Sequence, residues 1–197
     1  MIDNEPWDKN GFLLHGSAVQ TSKGALIFTG PSEAGKSTIC DLMSLKFMTI
    51  SDDCLFVGRS EAGSWLVEDG GAYSWKLRKE SYVAGVEREA TGGAPGIPVC
   101  AVMPLHQSKR VWLEQLDGRP LCLNIMNGII EIAGQSQRYS TMRVLRWFAL
   151  AAQMSREVRG LRLHFSKECD TVQVLSKYLE ALCSEEKKRT QEECLSG

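Results

Sequence analysis

The sequence predicts a mixed α/β fold, a sheet with helices on its flanks, from three observations. Ala25-Leu26-Ile27-Phe28-Thr29 is an unbroken run of strand length, the pattern of a strand buried on both faces. A glycine-containing turn follows, and then Ile39, Leu42, Met43 and Leu45 recur at helical spacing. Further strand-like runs and longer helical patterns follow one another along the remaining chain. The 197 residues suffice for one such domain with a sizeable core. Its expected extent is 11–188, between a polar lead at 1–10 and a polar tail at 189–197.

Taken in order, Phe12 to Val19 reads as a first strand that includes His15 and Gly16, and Thr21-Ser22-Lys23-Gly24 reads as a turn. The 25–29 strand leads through its turn into a helix from Lys36 to about Lys46. Phe47 to Ile50 is expected as a second buried strand, running into Ser51-Asp52-Asp53. Cys54–Val57 and Ser64–Val67 form a hairpin around Ser60-Glu61-Ala62-Gly63. Residues 68–97 are rich in glycine and charge, with a helix expected near 77–84 and a flexible stretch at 91–96. Ile97–Met103 and Arg110–Leu116 read as strands and Leu121–Ile132 as a helix. Ser140 or Thr141 caps a helix to Val158, Leu161–Phe165 alternates as a strand, and Asp170 caps a last helix reaching about Lys187. The tryptophans and the 140–158 face bearing Val144, Leu145, Phe148 and Leu150 are expected in the core. Arg138, Arg143 and Arg146 are expected on a solvated helix face, and His106 and His164 at the surface or an edge.

Composition narrows the function classes. Hydrophobic residues make up 43% and charged residues 24%, the balance of an ordinary soluble domain. A net charge of -1 gives no global attraction to nucleic acid or to an anionic membrane, so neither is expected as a partner. The longest apolar stretch, Trp147 to Met154, is far shorter than a membrane span. Residues 1–10 carry Asp3, Glu5 and Asp8 and no apolar core, so no signal peptide is expected. Seven cysteines, an odd number with no C-x-x-C pair, read as reduced thiols of a cytoplasmic protein and not as a zinc site.

The residues that carry chemistry begin at the turn after the 25–29 strand. Gly30-Pro31-Ser32-Glu33-Ala34-Gly35-Lys36-Ser37, with Thr38 following, matches G-x-x-x-x-G-K-[ST] at every fixed position. Glycine lets the backbone wrap closely around phosphate oxygens. Successive N–H groups and the positive end of the helix then face the anion. The Lys36 ammonium reaches the β- and γ-phosphates, and the Ser37 hydroxyl is placed to ligate Mg²⁺. Glu33 stands where many such loops carry glycine, so its carboxylate is expected to point away from the phosphates. The bland alternative is a strand–helix turn that binds nothing. The loop also fits ABC-type ATPases, but no L-S-G-G-Q segment and no apolar strand ending in Asp-Glu follows.

Two further features flank the loop. His15-Gly16 lies one strand earlier, and Asp52-Asp53 ends the next strand, sixteen residues after Lys36. If the strands ran parallel, their C-terminal ends would share the edge where ligands bind, and the acidic pair would face the phosphates. One carboxylate there can hold Mg²⁺ and another can take a proton from an attacking hydroxyl. The plain alternatives are a satisfied strand histidine and an acidic turn pair.

Leu14-His15-Gly16, the loop with its strand Leu26–Thr29, and Ile50-Ser51-Asp52-Asp53, in that order, resemble the catalytic core of HPr kinase/phosphorylase over roughly residues 11–58. They also resemble its smaller, divergent relatives, some of which accompany peptide-modification or natural-product gene clusters. The resemblance implies the P-loop fold that this family shares with ATP-dependent phosphoenolpyruvate carboxykinase, a mixed sheet with flanking helices. It implies ATP and Mg²⁺ as cofactors and a seryl or small-molecule hydroxyl as phosphate acceptor. It assigns catalytic roles to His15, Asp52 and Asp53, with Asp52 as base and Asp53, together with Ser37, on the metal side. It admits a homo-oligomer. The family's glycine-rich signature after the acidic pair and its arginine-bearing closing loop have no recognisable counterpart, leaving Lys76, Arg78, Lys109 and Arg110 as candidates for the arginine's role. The alternative function is an ATP-binding accessory or regulatory protein that keeps the loop without transferring phosphate.

Overall fold

The computed structural model describes residues 10–71, 96–134, 140–166 and 171–182. Among these residues nine strands and three bounded helices form a mixed α/β fold. The strands are β1 (Gly11–His15), β2 (Ser17–Thr21), β3 (Gly24–Thr29), β4 (Met48–Ser51), β5 (Cys54–Arg59), β6 (Trp65–Asp69), β7 (Ile97–Gln107), β8 (Trp112–Leu116) and β9 (Arg159–Phe165). The helices are α1 (Lys36–Ser44), α2 (Gly118–Gly134) and α3 (Thr141–Glu157). Residues 171–182 are also helical. The helix expected near 77–84, Asp170 as a cap, and the polar lead and tail lie outside the described residues.

β3 sits at the centre. It pairs antiparallel with β2 through a two-residue hairpin and parallel with β7. Outward from β2 comes β4, and outward from β7 come β9 and then β8. Because β2 is antiparallel to both neighbours, β4 runs in the direction of β3. The ends of β3, β4, β7 and β9 therefore lie along one edge. The small antiparallel set β1–β5–β6 joins through the first two residues of β7.

Each face of the sheet has its own core. Leu26 and Phe28 of β3 pack with Ile39, Met43, Met103, Leu163, Phe165, Leu175 and Leu179, beneath α1 and the 171–182 helix. Ala25 and Ile27 pack on the other face with Leu14, Leu55, Trp65, Leu121, Ile125 and Met154, beneath α2, α3 and the small sheet. Strand alternation makes this division, and burying each large apolar side chain contributes about 1.5–3 kcal/mol. The Trp65 indole N–H donates to Glu157 Oε2 at 2.8 Å, which ties the small sheet to the end of α3. Ser140 caps α3 by accepting from the Arg143 N–H.

Several expectations change. The strand expected over 12–19 is two strands that part at Gly16 and pair with different neighbours, β1 with β5 and β2 with β3 and β4; glycine admits the Phe28 carbonyl oxygen, which would lie 2.9 Å from a Cβ there. β4 is an edge strand, not a buried one: it pairs only with β2, and Met48 and Thr49 are exposed. On α3 the buried residues are Trp147, Ala151, Met154 and Ser155. Val144 and Leu150 are partly buried against that core, whereas Leu145 and Phe148 are exposed. Trp65 and Trp147 are core residues but Trp112, on the outer strand β8, is exposed. His164 is only 8% exposed because β9 is flanked on both sides. Its Nε2 lies 2.9 Å from Glu114 Oε2 and its ring stacks on Trp112 at 3.8 Å. His106 is exposed, as expected. Cys40, Cys54, Cys100 and Cys122 are free thiols.

Candidate functional site

The loop Gly30–Gly35 leaves the end of β3 and turns into the first residue of α1. Its backbone needs special conformations. Gly30 has φ 152° and Gly35 φ 100°, and a Cβ on Gly35 would lie 2.5 Å from the Phe165 ring. Glu33 holds φ 69°, a left-handed conformation strained for a residue with a side chain. The turn is held from within by the Ala34 N–H donating to Pro31 O at 3.1 Å, and from β7 by Gln107 Nε2 donating to Glu33 O at 3.1 Å. Gly35 is the N-cap of α1, so the helix's positive end opens onto the loop.

Lys36, the first residue of α1, is 7% exposed. Its Nζ donates to Gly30 O at 2.8 Å and to Pro31 O at 2.9 Å, which folds the stem back across the loop. Burial pushes the Lys36 ammonium below its ordinary range, while the charges of Glu131 and Asp53 act in the opposite direction. The buried Ser17 hydroxyl, at the start of β2, donates to Lys36 O at 3.1 Å and pins the first turn of α1. Ser37 is exposed on that turn and Thr38 is half-buried.

Two chain crossings run side by side next to this loop. Gly16 carries the chain from β1 to β2, and Asp52-Asp53 carry it from β4 to β5. They are joined by the Gly16 N–H donating to Asp53 O at 3.1 Å. The crossings bring His15 beside Asp53, with Nε2 3.6 Å from Oδ1. The Asp53 side chain is 65% exposed, and its charge acts on Lys36. Asp52 is exposed and makes no hydrogen bond or ion pair with the described residues. Its charge acts on Cys40, one helical turn beyond Ser37, whose thiol burial pushes up. His15, Lys36 and Asp53 are thus gathered at one place, and Asp52 stands exposed next to Asp53.

A fourth residue completes the group. Glu131, on α2, has Oε2 2.8 Å from His15 Nδ1, and its Oε1 accepts from Ser32 Oγ at 3.1 Å. The Nδ1 contact is short but not directed along the ring N–H bond, so the atom is buried without a well-formed hydrogen bond. Burial raises the Glu131 carboxyl's proton affinity, but His15, Ser32 and Lys36 together outweigh it and hold the group below its ordinary range. Gly128, one turn earlier, lets α2 approach β1 closely: a Cβ there would lie 2.6 Å from Leu14 Cδ1 and 3.1 Å from His15 O. Gly128 and Glu131 share a helix face at i, i+3 spacing. That pairing, an acid beside an inward-facing glycine, is the signal that the apolar periodicity of α2 conceals.

The donor set fits a hard cation that also binds phosphate. No group of three or more His, Cys, Asp or Glu side chains among the described residues could hold a metal by itself. The exposed oxygens of Ser37 and Asp53 suit Mg²⁺, which typically takes one or two protein oxygens and completes its shell with phosphate and water. Lys109 and Arg110 lie in the β7–β8 connection on the same edge, whereas Lys76 and Arg78 lie outside the described residues. No helix among the described residues is long and apolar enough to cross a membrane.

No protein-family model matches the chain, and no curated protein matches it. Among solved structures it is similar to the Hpr(Ser) kinase/phosphatase from Coxiella burnetii, with 11% sequence identity over 91% of this chain and 98% of that chain, at a TM-score of 0.38. At that level of likeness, the functional reading rests on the site's own geometry.

Proposed function

We propose that this chain is an ATP-dependent phosphotransferase of the HPr-kinase-like kind, acting on a seryl or small-molecule hydroxyl. The observation that carries the reading is the joint placement of the Gly30–Ser37 loop, the buried Lys36 ammonium and the His15–Asp53 pair on one sheet edge. The loop backbone and the α1 terminus hold the phosphate chain, and Lys36 binds the β- and γ-phosphates. Ser37 and Asp53 hold the Mg²⁺ that accompanies the nucleotide, which neutralises charge on the transferring group. The Asp53 side chain is 65% exposed beside the loop, which leaves its oxygens open to the ion. The acceptor proton goes to a side chain on this edge, Asp52 in the assignment that the resemblance implies.

The second reading is an ATP-binding accessory protein without transfer. It is favoured by the lack of a recognisable arginine-bearing closing motif and by the absence of any bond between Asp52 and the described residues. One experiment separates the two. The purified protein is given labelled ATP, Mg²⁺ and serine, small hydroxyl compounds or HPr as acceptor. Transfer above slow hydrolysis is expected. Tight Mg·ATP binding with no transfer to any acceptor selects the accessory reading, and no ATP binding sinks both.

A further inference from the structure

Exposed apolar surface is gathered on one face of the molecule. Among the described residues eight large hydrophobic side chains are exposed, and five of them, Leu123, Ile130, Met142, Leu145 and Phe148, stand on α2 and α3. Single scattered ones need no partner, but a set of this kind marks an interaction surface. The two helices are antiparallel neighbours: Cys122, near the start of α2, lies beside Ser155 and Arg156 at the end of α3. That register sets Ile130 level with Phe148. Two helices packed side by side leave a shallow groove along their outer side.

Charge and size decide the occupant. The two helices carry four arginines, Arg119, Arg143, Arg146 and Arg156, and two acids. Both acids are engaged elsewhere, Glu131 by Ser32 and Glu157 by Arg59 and the Trp65 indole. Arg119, Arg146 and Arg156 are exposed, so the face is basic in a chain of net charge -1. Two copies placed face to face would set like charges against each other, which disfavours association. Each helix of 17 residues is about 25 Å long, and at a spacing of about 8–10 Å the pair offers a face of roughly 500 Å². A standard partner contributes about 800 Å². A single amphipathic helix fits the smaller footprint, and acids flanking its apolar stripe would meet the arginines in charge-assisted pairs. Three exposed arginines are fewer than the about four to eight basic residues of a polybasic membrane site.

We infer that the outward face of α2 and α3 docks an acidic amphipathic helix of a partner protein, its apolar stripe seated on Ile130, Leu145 and Phe148 and its carboxylates on Arg119, Arg146 and Arg156. The inference stands apart from the phosphotransferase reading, since none of these residues belongs to the phosphate-loop site.

The probe is a synthetic helical peptide of about 18 residues with leucine at i, i+3, i+4 and i+7 spacing and glutamate on both flanks, followed by fluorescence anisotropy. Its control has lysine in place of every glutamate. The full chain is expected to bind the glutamate peptide, with the lysine peptide at least about tenfold weaker and the difference shrinking at high salt. Leu145→Gln, Phe148→Gln and Arg146→Glu should each weaken binding about tenfold. All three side chains are exposed, so circular dichroism and melting temperature should match wild type. Leu45→Gln, at an exposed leucine at the end of α1, is the control and should bind as wild type does. Equal affinity for the two peptides, no binding of either at about 1 mM, or an equal loss in Leu45→Gln overturns the inference. Three further results overturn it by giving the face to another occupant. Phosphatidylserine vesicles bound through Phe148 while the glutamate peptide is ignored give it to a membrane. A dimer in sedimentation equilibrium that Phe148→Gln dissociates gives it to a second copy. A peptide of residues 1–9, with Asp3, Glu5 and Asp8, that binds more tightly than the glutamate probe gives it to the chain's own lead.

Discussion

Lys36 is asked both to be buried and to be charged. Its burial lowers the proton affinity of the folded chain at this site below the unfolded value, against the opposing pull of Glu131 and Asp53. The unfolded state therefore binds more protons between the lowered value and the ordinary lysine value of 10.5, and stability from this residue rises as pH climbs through that window. Below the window the full cost of burying the charge is present. Lys36→Met keeps the stem and removes the charge. It should leave the melting temperature at neutral pH equal or higher, flatten the alkaline rise, and abolish protection by Mg·ATP. Thermal melts with and without nucleotide check all three, and equal protection of mutant and wild type would sink the phosphate-loop assignment. Glu33 stores a different kind of cost. It is the one non-glycine residue at positive φ among the described residues, at 69°, a conformation that costs roughly 1–2 kcal/mol. Glu33→Gly relieves that strain but frees the unfolded chain by a comparable amount, about 0.4–1 kcal/mol. The net expectation is a gain of up to about 1.5 kcal/mol in urea unfolding. The Gln107 bond survives, since it is made to the Glu33 carbonyl. A loss exceeding 1 kcal/mol would show that the Glu33 side chain holds the loop.

At the scale of elements, the site depends on how closely α2 lies on β1. Gly128→Ala places a methyl 2.6 Å from Leu14 Cδ1 and 3.1 Å from the His15 carbonyl oxygen. Leu14 is fully buried and the carbonyl belongs to a paired strand, so the helix must move. Overpacking typically costs about 1–3 kcal/mol, and alanine returns about 1 kcal/mol of helix propensity. A net loss of about 1 kcal/mol is expected, together with weakened contact between Glu131 and His15. Gly134→Ala, in the same helix with nothing within 4 Å of its added methyl, is the control and should be neutral or stabilising. If both variants behave alike, close seating of α2 is not what fixes Glu131. The elements themselves were largely legible. The apolar run of β3, the turn at 21–24, the 60–63 hairpin and the Ser140 cap all carry local signals, and each lies where its signal points. Features set by neighbours were not legible. The break at Gly16 comes from β1 and β2 pairing with different strands, and the exposure of β4 comes from its place at the end of the strand order. The apolar outer residues of α3 carry the same chemistry as its inner ones, so their sequence does not reveal which face packs.

For the whole molecule, topology explains why residues up to 116 positions apart, from His15 to Glu131, meet at one edge. The sequence alone carried the loop and its two flanking motifs, because each is a short local pattern. It did not carry Glu131, which reaches the site only through the packing of a distant helix. It expected the acidic pair on the loop's edge by assuming a parallel sheet. In the structure β2 is inserted antiparallel between β3 and β4, so that β4 runs in the direction of β3 although the two are not neighbours. A ligand bound on this edge touches elements of both cores, since α1 packs on one face and α2 on the other. Nucleotide binding should therefore stabilise the folded chain as a unit and not one segment of it. At a Mg·ATP concentration a hundred times its Kd, mass action adds about 2.7 kcal/mol. For a chain of this size that corresponds to a rise in Tm of about 5–11 °C. The rise should appear as one shifted transition by both fluorescence and circular dichroism. Replacing Mg²⁺ with EDTA should shrink it, and Ser37→Ala should remove most of the difference between the two conditions, because that hydroxyl is one of two protein oxygens assigned to the ion. A full rise in EDTA would show that the phosphates are held by the loop and Lys36 alone. That result would move the weight from a phosphotransferase to a nucleotide-binding accessory protein.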